Sequence, residues 1–197
     1  SFIVEPGNYS WSNFSTVFWV GEGATDIANG EPGVLRNRSI YNGLYNSLVL
    51  SVLCAFFAGT IGILAGYAIV RKKGTWLSNA VNHLTFFPYL IPSMAFGAIY
   101  LSMFALPRGP IPALYGTFSV LVLIGTVKYL PFATKAGVNS MLQLGGEIEE
   151  AGIIMGIPWW KRMVRIIMPI QKTSILSGYL LPYISCMREL SLFILLI

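Results

Sequence analysis

Apolar positions along the chain fall into four long runs separated by short polar stretches. The first, Leu44–Val70, carries no charged residue. At 1.5 Å per residue a helix over it reaches about 40 Å, enough to cross a hydrocarbon core of about 30 Å. Its small residues Ala55, Ala58, Gly59, Gly62, Ala65 and Gly66 recur at helical spacing and predict a close approach by another helix. A second run, about 81–106, is interrupted by Pro88 and Pro92. Prolines there free backbone carbonyls, which must be satisfied by protein or by a water-lined cavity. The tight turn Pro107–Pro110 leads into a third run, about 112–131, and a fourth covers about 174–197 with Arg188-Glu189 inside it. The pattern predicts an all-α polytopic transmembrane helical bundle of at least four spans, the last truncated. Because the sequence stops within an apolar run, it is expected to be part of a longer protein.

Composition agrees with the pattern. The chain is 55% hydrophobic and 11% charged, against roughly 25% charged for soluble domains. Placement of charge adds an orientation. Residues 1–43 hold Glu5, Glu22, Asp26 and Glu31 against Arg36 and Arg38, and are rich in Gly, Asn and Ser. They read as a loop-rich segment on the extracytoplasmic (periplasmic) side, leaving 44–197 as the transmembrane domain. Arg71, Lys72, Lys73, Lys128, Lys135, Lys161, Arg162, Arg165 and Lys172 fall at one set of span ends, which the positive-inside rule makes cytoplasmic. Arg36, Arg38 and Arg108 fall at the other. No contiguous basic stripe points to nucleic acid. Cys54 and Cys186 lie in apolar runs and read as buried small hydrophobes.

Between the third and fourth runs lies the polar stretch "EEAGIIMGIPWWKRMVRIIMPI", Glu149–Ile170. Glu147, Glu149 and Glu150 suit a helix start, where acids complement the macrodipole. Gly156 is placed to end that helix in a left-handed cap, and Pro158 suits the first turn of a second. That second helix, about 158–167, offers Trp159, Met163 and Ile166 on one face and Lys161, Arg162 and Arg165 as a cationic flank, with Pro169 expected to stop it. Two readings fit these residues. One is an interfacial helix anchored by its tryptophans among lipid headgroups. The other is a docking element for a cytoplasmic partner, since Trp and Arg are typical interface anchors.

The stretch resembles the EAA loop of the permease subunits of ABC importers, whose pattern is Glu-Ala-Ala, three residues, Gly, nine residues, then Ile-x-Leu-Pro. Here it stands as Glu150-Ala151-Gly152, then Gly156, then Ile166-Ile167-Met168-Pro169. Gly152 replaces an alanine and Met168 a leucine. The likeness extends over about 46–197. It implies a type I importer permease in the bacterial inner membrane, with a cytoplasmic coupling loop at about 137–172. By this resemblance Glu150, Ala151, Gly152 and Gly156 shape the loop. Pro158, Trp159, Trp160, Lys161, Arg162 and Arg165 meet a cytoplasmic ATPase dimer, and Ile166 and Pro169 complete the motif. The other implied partners are a second permease subunit or fused second half, a periplasmic binding protein and the bilayer.

The sequence has no Walker lysine loop or catalytic triad, so ATP and Mg are expected to be used by the partner ATPase and no cofactor by this chain. Arg188 and Glu189 would lie about 21 Å into a helix starting at Ser174. Intramembrane charges face cavities or partner helices, so the pair reads as an interhelical bridge or as part of a translocation pathway with Ser93 and Ser191. Ser93 reads first as a partner for proline-freed backbone. His83 stands alone and is no metal site. The run "RELS" followed by "ILL" resembles the ferric-iron branch, with thiosulfate, polyamine and phosphonate branches close by. A secondary transporter with its site at the broken second span, and a non-transporting membrane scaffold, are the rival classes.

Overall fold

The computed structural model describes residues 35–107, 114 and 116–189, together with the backbone of 3–5 and 8–9. The chain divides into two compact units, Ser1–Leu48 and Val49–Ile197. The first contains an antiparallel pair, β1 (Ile3–Glu5) and β2 (Asn8–Tyr9). It also holds the start of helix α1 (Arg38–Arg71). Asn37 opens α1 by accepting from the Ser39 N–H at 2.9 Å, as an N-cap side chain does.

The second unit is helical in its described residues. The helices are α2 (Trp76–Leu90), α3 (Ser93–Phe104), α4 (Phe118–Gln143), α5 (Gly146–Ile154), α6 (Trp159–Arg162), α7 (Met168–Ile170) and α8 (Lys172–Arg188). Between α6 and α7 the chain widens into a π-helical turn, Met163–Ile167. α1 and α4 are each long and apolar enough to cross a membrane. Large side chains such as Phe56, Phe57, Leu84 and Phe87 stay exposed, as lipid-facing residues do.

Small residues set the core. A Cβ on Gly62 would lie 2.5 Å from that of Ala133 and 2.7 Å from the Thr134 nitrogen, and one on Gly66 would lie 2.5 Å from the backbone of Gly137. α1 and α4 therefore touch backbone to backbone, as the small-residue spacing predicts. Gly59 sits under the ring of Tyr179 in α8, whose hydroxyl is 3.2 Å from Thr60 Oγ1. Cys54 and Cys186 are free thiols buried in one apolar cluster with Phe96, Ile124 and Tyr129.

Several expected boundaries move. The second run does not cross straight. α2 and α3 meet at 103°, and the bend falls at Pro92 alone. Ile91, just before that proline, is extended (φ −90°, ψ 125°), the conformation a following proline enforces. Pro88 lies inside α2 without breaking it. The third span does not end at Pro131, since α4 continues through it to Gln143. Lys128 is consequently not at a span end but buried near the middle of α4 (8% exposed), and it drops out of the orientation count. Pro169 does not stop its helix. The π-turn before it, with the Met168 N–H bonded to Met163 O five residues back, makes room for the proline ring in the helix wall. The real break comes at Gln171 (φ −99°, ψ 19°). α8 then runs to Arg188, and the rest of the fourth run, from 190, lies outside the described residues.

Candidate functional site

Two constellations stand out: the elbow between α5 and α6, and a cavity at the bend between α2 and α3.

The elbow is built by a glycine. Gly156 has φ +71°, and the chain closes α5 with the Gly156 N–H on Ile153 O (2.9 Å) and the Ile157 N–H on Gly152 O (3.0 Å). This is the paired 5→2 and 6→1 closure that a left-handed glycine permits. Pro158 then caps α6, with Arg162 N–H on its carbonyl at 3.1 Å. The second arm folds back on the first so closely that a Cβ on Gly152 would lie 2.7 Å from Arg162 Cδ. Gly152 is thus a contact point, and not merely a looser alanine.

Glu149, not Glu150, is the interior acid. Glu149 is 8% exposed, with Oε2 2.5 Å from Arg71 Nε and Oε1 3.9 Å from Arg162 Nη2. It also accepts a hydrogen bond from the Tyr67 hydroxyl. Tyr67 and Arg71 are four apart on the last turns of α1, so one helical face presents both. The ring of Trp159 meets Tyr67 edge-on at 5.9 Å, and Met163 and Ile167 complete an apolar seat with Met141 and Leu144. Trp159, expected as an anchor for lipid headgroups or a partner, therefore packs inward. Arg162 also turns inward, donating to Ile157 O at 2.7 Å. Ile166 is half-buried beside Gly152.

What remains outside is a patch of another character. Glu150, Ala151, Lys161, Arg165 and Pro169 are exposed. Among them Ile154 is 86% and Trp160 63% exposed, flanked by Ile153 and Met155. An apolar tip on a charged elbow is the anatomy of a binding surface with a polar rim.

The cavity has a volume of about 620 Å³ and is lined by Ser93, Lys128, Tyr129, Arg188 and Glu189 among others. Glu189 Oε2 accepts from Ser93 Oγ and from Tyr129 Oη, each at 3.2 Å. The structure thus brings Ser93 and Glu189 together and sets Arg188 on the same wall, while Ser191 lies outside the described residues. Lys128 donates to Ile91 O (2.5 Å) and Pro88 O (3.3 Å) and lies 5.1 Å from the Phe96 ring centre. A cation there satisfies carbonyls left at the C-terminal end of α2 by the bend, and complements that helix end electrostatically.

Sequence reasoning gave Lys128 and Arg71 a place only in the charge count and Glu149 one only at a helix start, and it assigned no site role to Tyr129 or Tyr67. The signal for Lys128 and Tyr129 was a lysine in the apolar run "GTVKYLPF", which has no other charge. For Glu149 it was the spacing of three to Gly152, which places both on the inner face of α5.

Residues 58–197 match the family described as binding-protein-dependent transport system inner membrane component. The phosphate transport system permease protein PstA 1 of Mycobacterium tuberculosis (strain CDC 1551 / Oshkosh) is 27% identical over 152 residues, covering 76% of this chain and 49% of its own length. The putative ferric transport system permease protein FbpB 1 of Haemophilus influenzae is 27% identical over 200 residues, covering 100% of this chain and 29% of its own length. The sulfate transport system permease protein CysT of Escherichia coli is 21% identical over 166 residues, 79% of this chain and 58% of its own. The chain therefore spans about half or less of the first two relatives. With the match running through both elbow and cavity, the chain belongs to the family of binding-protein-dependent transport system inner membrane components.

Proposed function

We propose that the chain is the membrane-spanning part of an ATP-driven importer, coupled through the α5–α6 elbow to an ATPase dimer that hydrolyses Mg-ATP. The observation that carries this reading is the elbow itself: a glycine-closed, proline-capped turn with Ile154 and Trp160 exposed at its tip. Glu149 ties it to α1 through Arg71, and the π-turn and α7 lead from it toward α8. A partner that moves the tip thereby moves two helices of the bundle. ATP-driven closure of the partner would bias the bundle between inward-open and outward-open states through differential contacts. The elbow would be cytoplasmic and residues 1–43 periplasmic, facing a binding protein that delivers substrate. A second permease subunit or a fused second half would complete the pathway.

Ferric iron is the proposed substrate, supported by the likeness of the whole chain to a relative named for ferric transport. A second reading, an oxyanion such as phosphate, is favoured by one observation: two cationic side chains, Lys128 and Arg188, line the cavity beside Glu189, the one carboxylate among its described lining residues. The complete transporter, reconstituted with its ATPase and binding protein, decides between them by uptake of labelled iron against labelled phosphate. In that assembly Gly156→Asp forces a side chain into the left-handed region at φ +71°, a strain of about 1–2 kcal/mol. It should reduce ATP-driven uptake at least tenfold. Undiminished uptake, or failure of any ATPase to co-purify, would contradict the importer reading.

A further inference from the structure

A second cavity, of about 320 Å³, lies between α4 and α8 on the side toward the elbow, lined by Lys135, Asn139, Ser174 and Ser177 with Leu181. Polar side chains stand in its wall, but most of that wall is apolar, unlike the first, and the two cavities follow one seam. On α4 the seam runs Tyr129, Phe132, Ala136, Asn139, and on α8 it runs Ser185, Leu181, Ser177, Ser174. These are steps of three or four, the spacing of one helical face. Among the described residues Phe132 is the one that lines both cavities.

We propose that Phe132 is an apolar gate between two chambers of one route through the bundle, a polar one at the bend and a more apolar one toward the elbow, a proposal that rests on the transport reading above. Its ring is held edge-on by Tyr89 at 5.7 Å and lies 6.5 Å from the ring of Tyr129. Tyr129 binds Glu189, and Tyr89 stands two residues before Ile91, the last residue before the bend at Pro92. The ring is therefore tied to the α2–α3 bend and to the end of α8. A hydrated or charged solute passing from Ser185 to Ser177 must shed water against that ring, and an apolar constriction closes a pore by excluding water. Rotation of the ring away from Tyr89 would join the chambers. The bend is placed to cause it, because Lys128 grips the carbonyls of Pro88 and Ile91 at the same spot.

Thiol accessibility tests this without requiring transport. Single substitutions Ser185→Cys and Ser177→Cys are made in the complete complex in sealed vesicles, and a membrane-impermeant maleimide is added to one face at a time. The chain's own Cys54 and Cys186 are buried, and the protein without an added cysteine sets the background. Without ATP the two positions should react from opposite faces, and Phe132→Ala should let Ser177→Cys react at least tenfold faster from the face that reaches Ser185→Cys. Phe132→Leu should keep the seal. Reaction of both positions from the same face in the unsubstituted background would overturn the gate, and so would an unchanged rate in Phe132→Ala. If Phe132→Ala does not assemble, the opposite-face pattern alone decides. Loss of ATP dependence in unmodified uptake would refute the transport reading while leaving this pattern standing.

Discussion

Glu149 turns inward to Arg71, Arg162 and Tyr67, while its neighbour Glu150 faces solvent. A helix separates adjacent side chains by about 100°, so two acids in one motif serve different surfaces. The motif spacing singles out Glu150, which carries the family likeness, and says nothing of Glu149. Its partners Tyr67 and Arg71 lie far away in sequence, on α1, and only the packed fold brings them near. Removing one member of a buried ion pair strands the other and costs about 3 kcal/mol. Glu149→Gln should thus lower the melting temperature of the detergent-solubilised complex. Arg71→Met should do the same, and the double substitution should cost clearly less than the sum of the two. Additive losses would show that the ion pair does not hold the elbow to α1. Lys128 shows the same limit of sequence reading. A lysine near a proline resembles the end of a span, yet here Pro131 stays helical and the lysine serves carbonyls from another helix.

At the scale of elements, the legible features were those with local causes. The small-residue stripe of α1 gave its close packing on α4, and Gly156 gave the elbow. What stayed hidden depended on how a proline is tolerated. Pro88, Pro131 and Pro182 remain within helices and Pro92 bends one, while Pro169 passes behind a π-turn. Those outcomes turn on which neighbours accept the freed carbonyls, a tertiary property. The α1–α4 contact supports a firm expectation. Gly62→Leu would drive a side chain into the backbone at Ala133–Thr134, a clash of at least about 1–3 kcal/mol that a packed seam cannot relax. The variant should express as an aggregation-prone protein that elutes ahead of the native complex on gel filtration. Gly43→Leu, at a position with open space, should elute normally. Equal behaviour of the two would mean that α1 and α4 do not meet as described.

Among the described residues of the helical unit, the charged elbow and the seam between α4 and α8 depart from a lipid-facing surface. The seam leads from the α2–α3 bend along α4 and α8 toward the elbow, so in the proposed coupling a force applied at the tip would act on the helices that line the cavities. Membership of the transport family follows from the sequence match, whereas the docking of an ATPase at the elbow is the proposal built on it. Ile154, 86% exposed at the tip, reports on it most directly. With a photo-reactive benzoylphenylalanine at position 154 in the complete transporter in its native membrane, illumination should give one dominant adduct, an ATP-binding subunit identified by mass spectrometry. Adducts confined to lipid or to this chain would contradict the account.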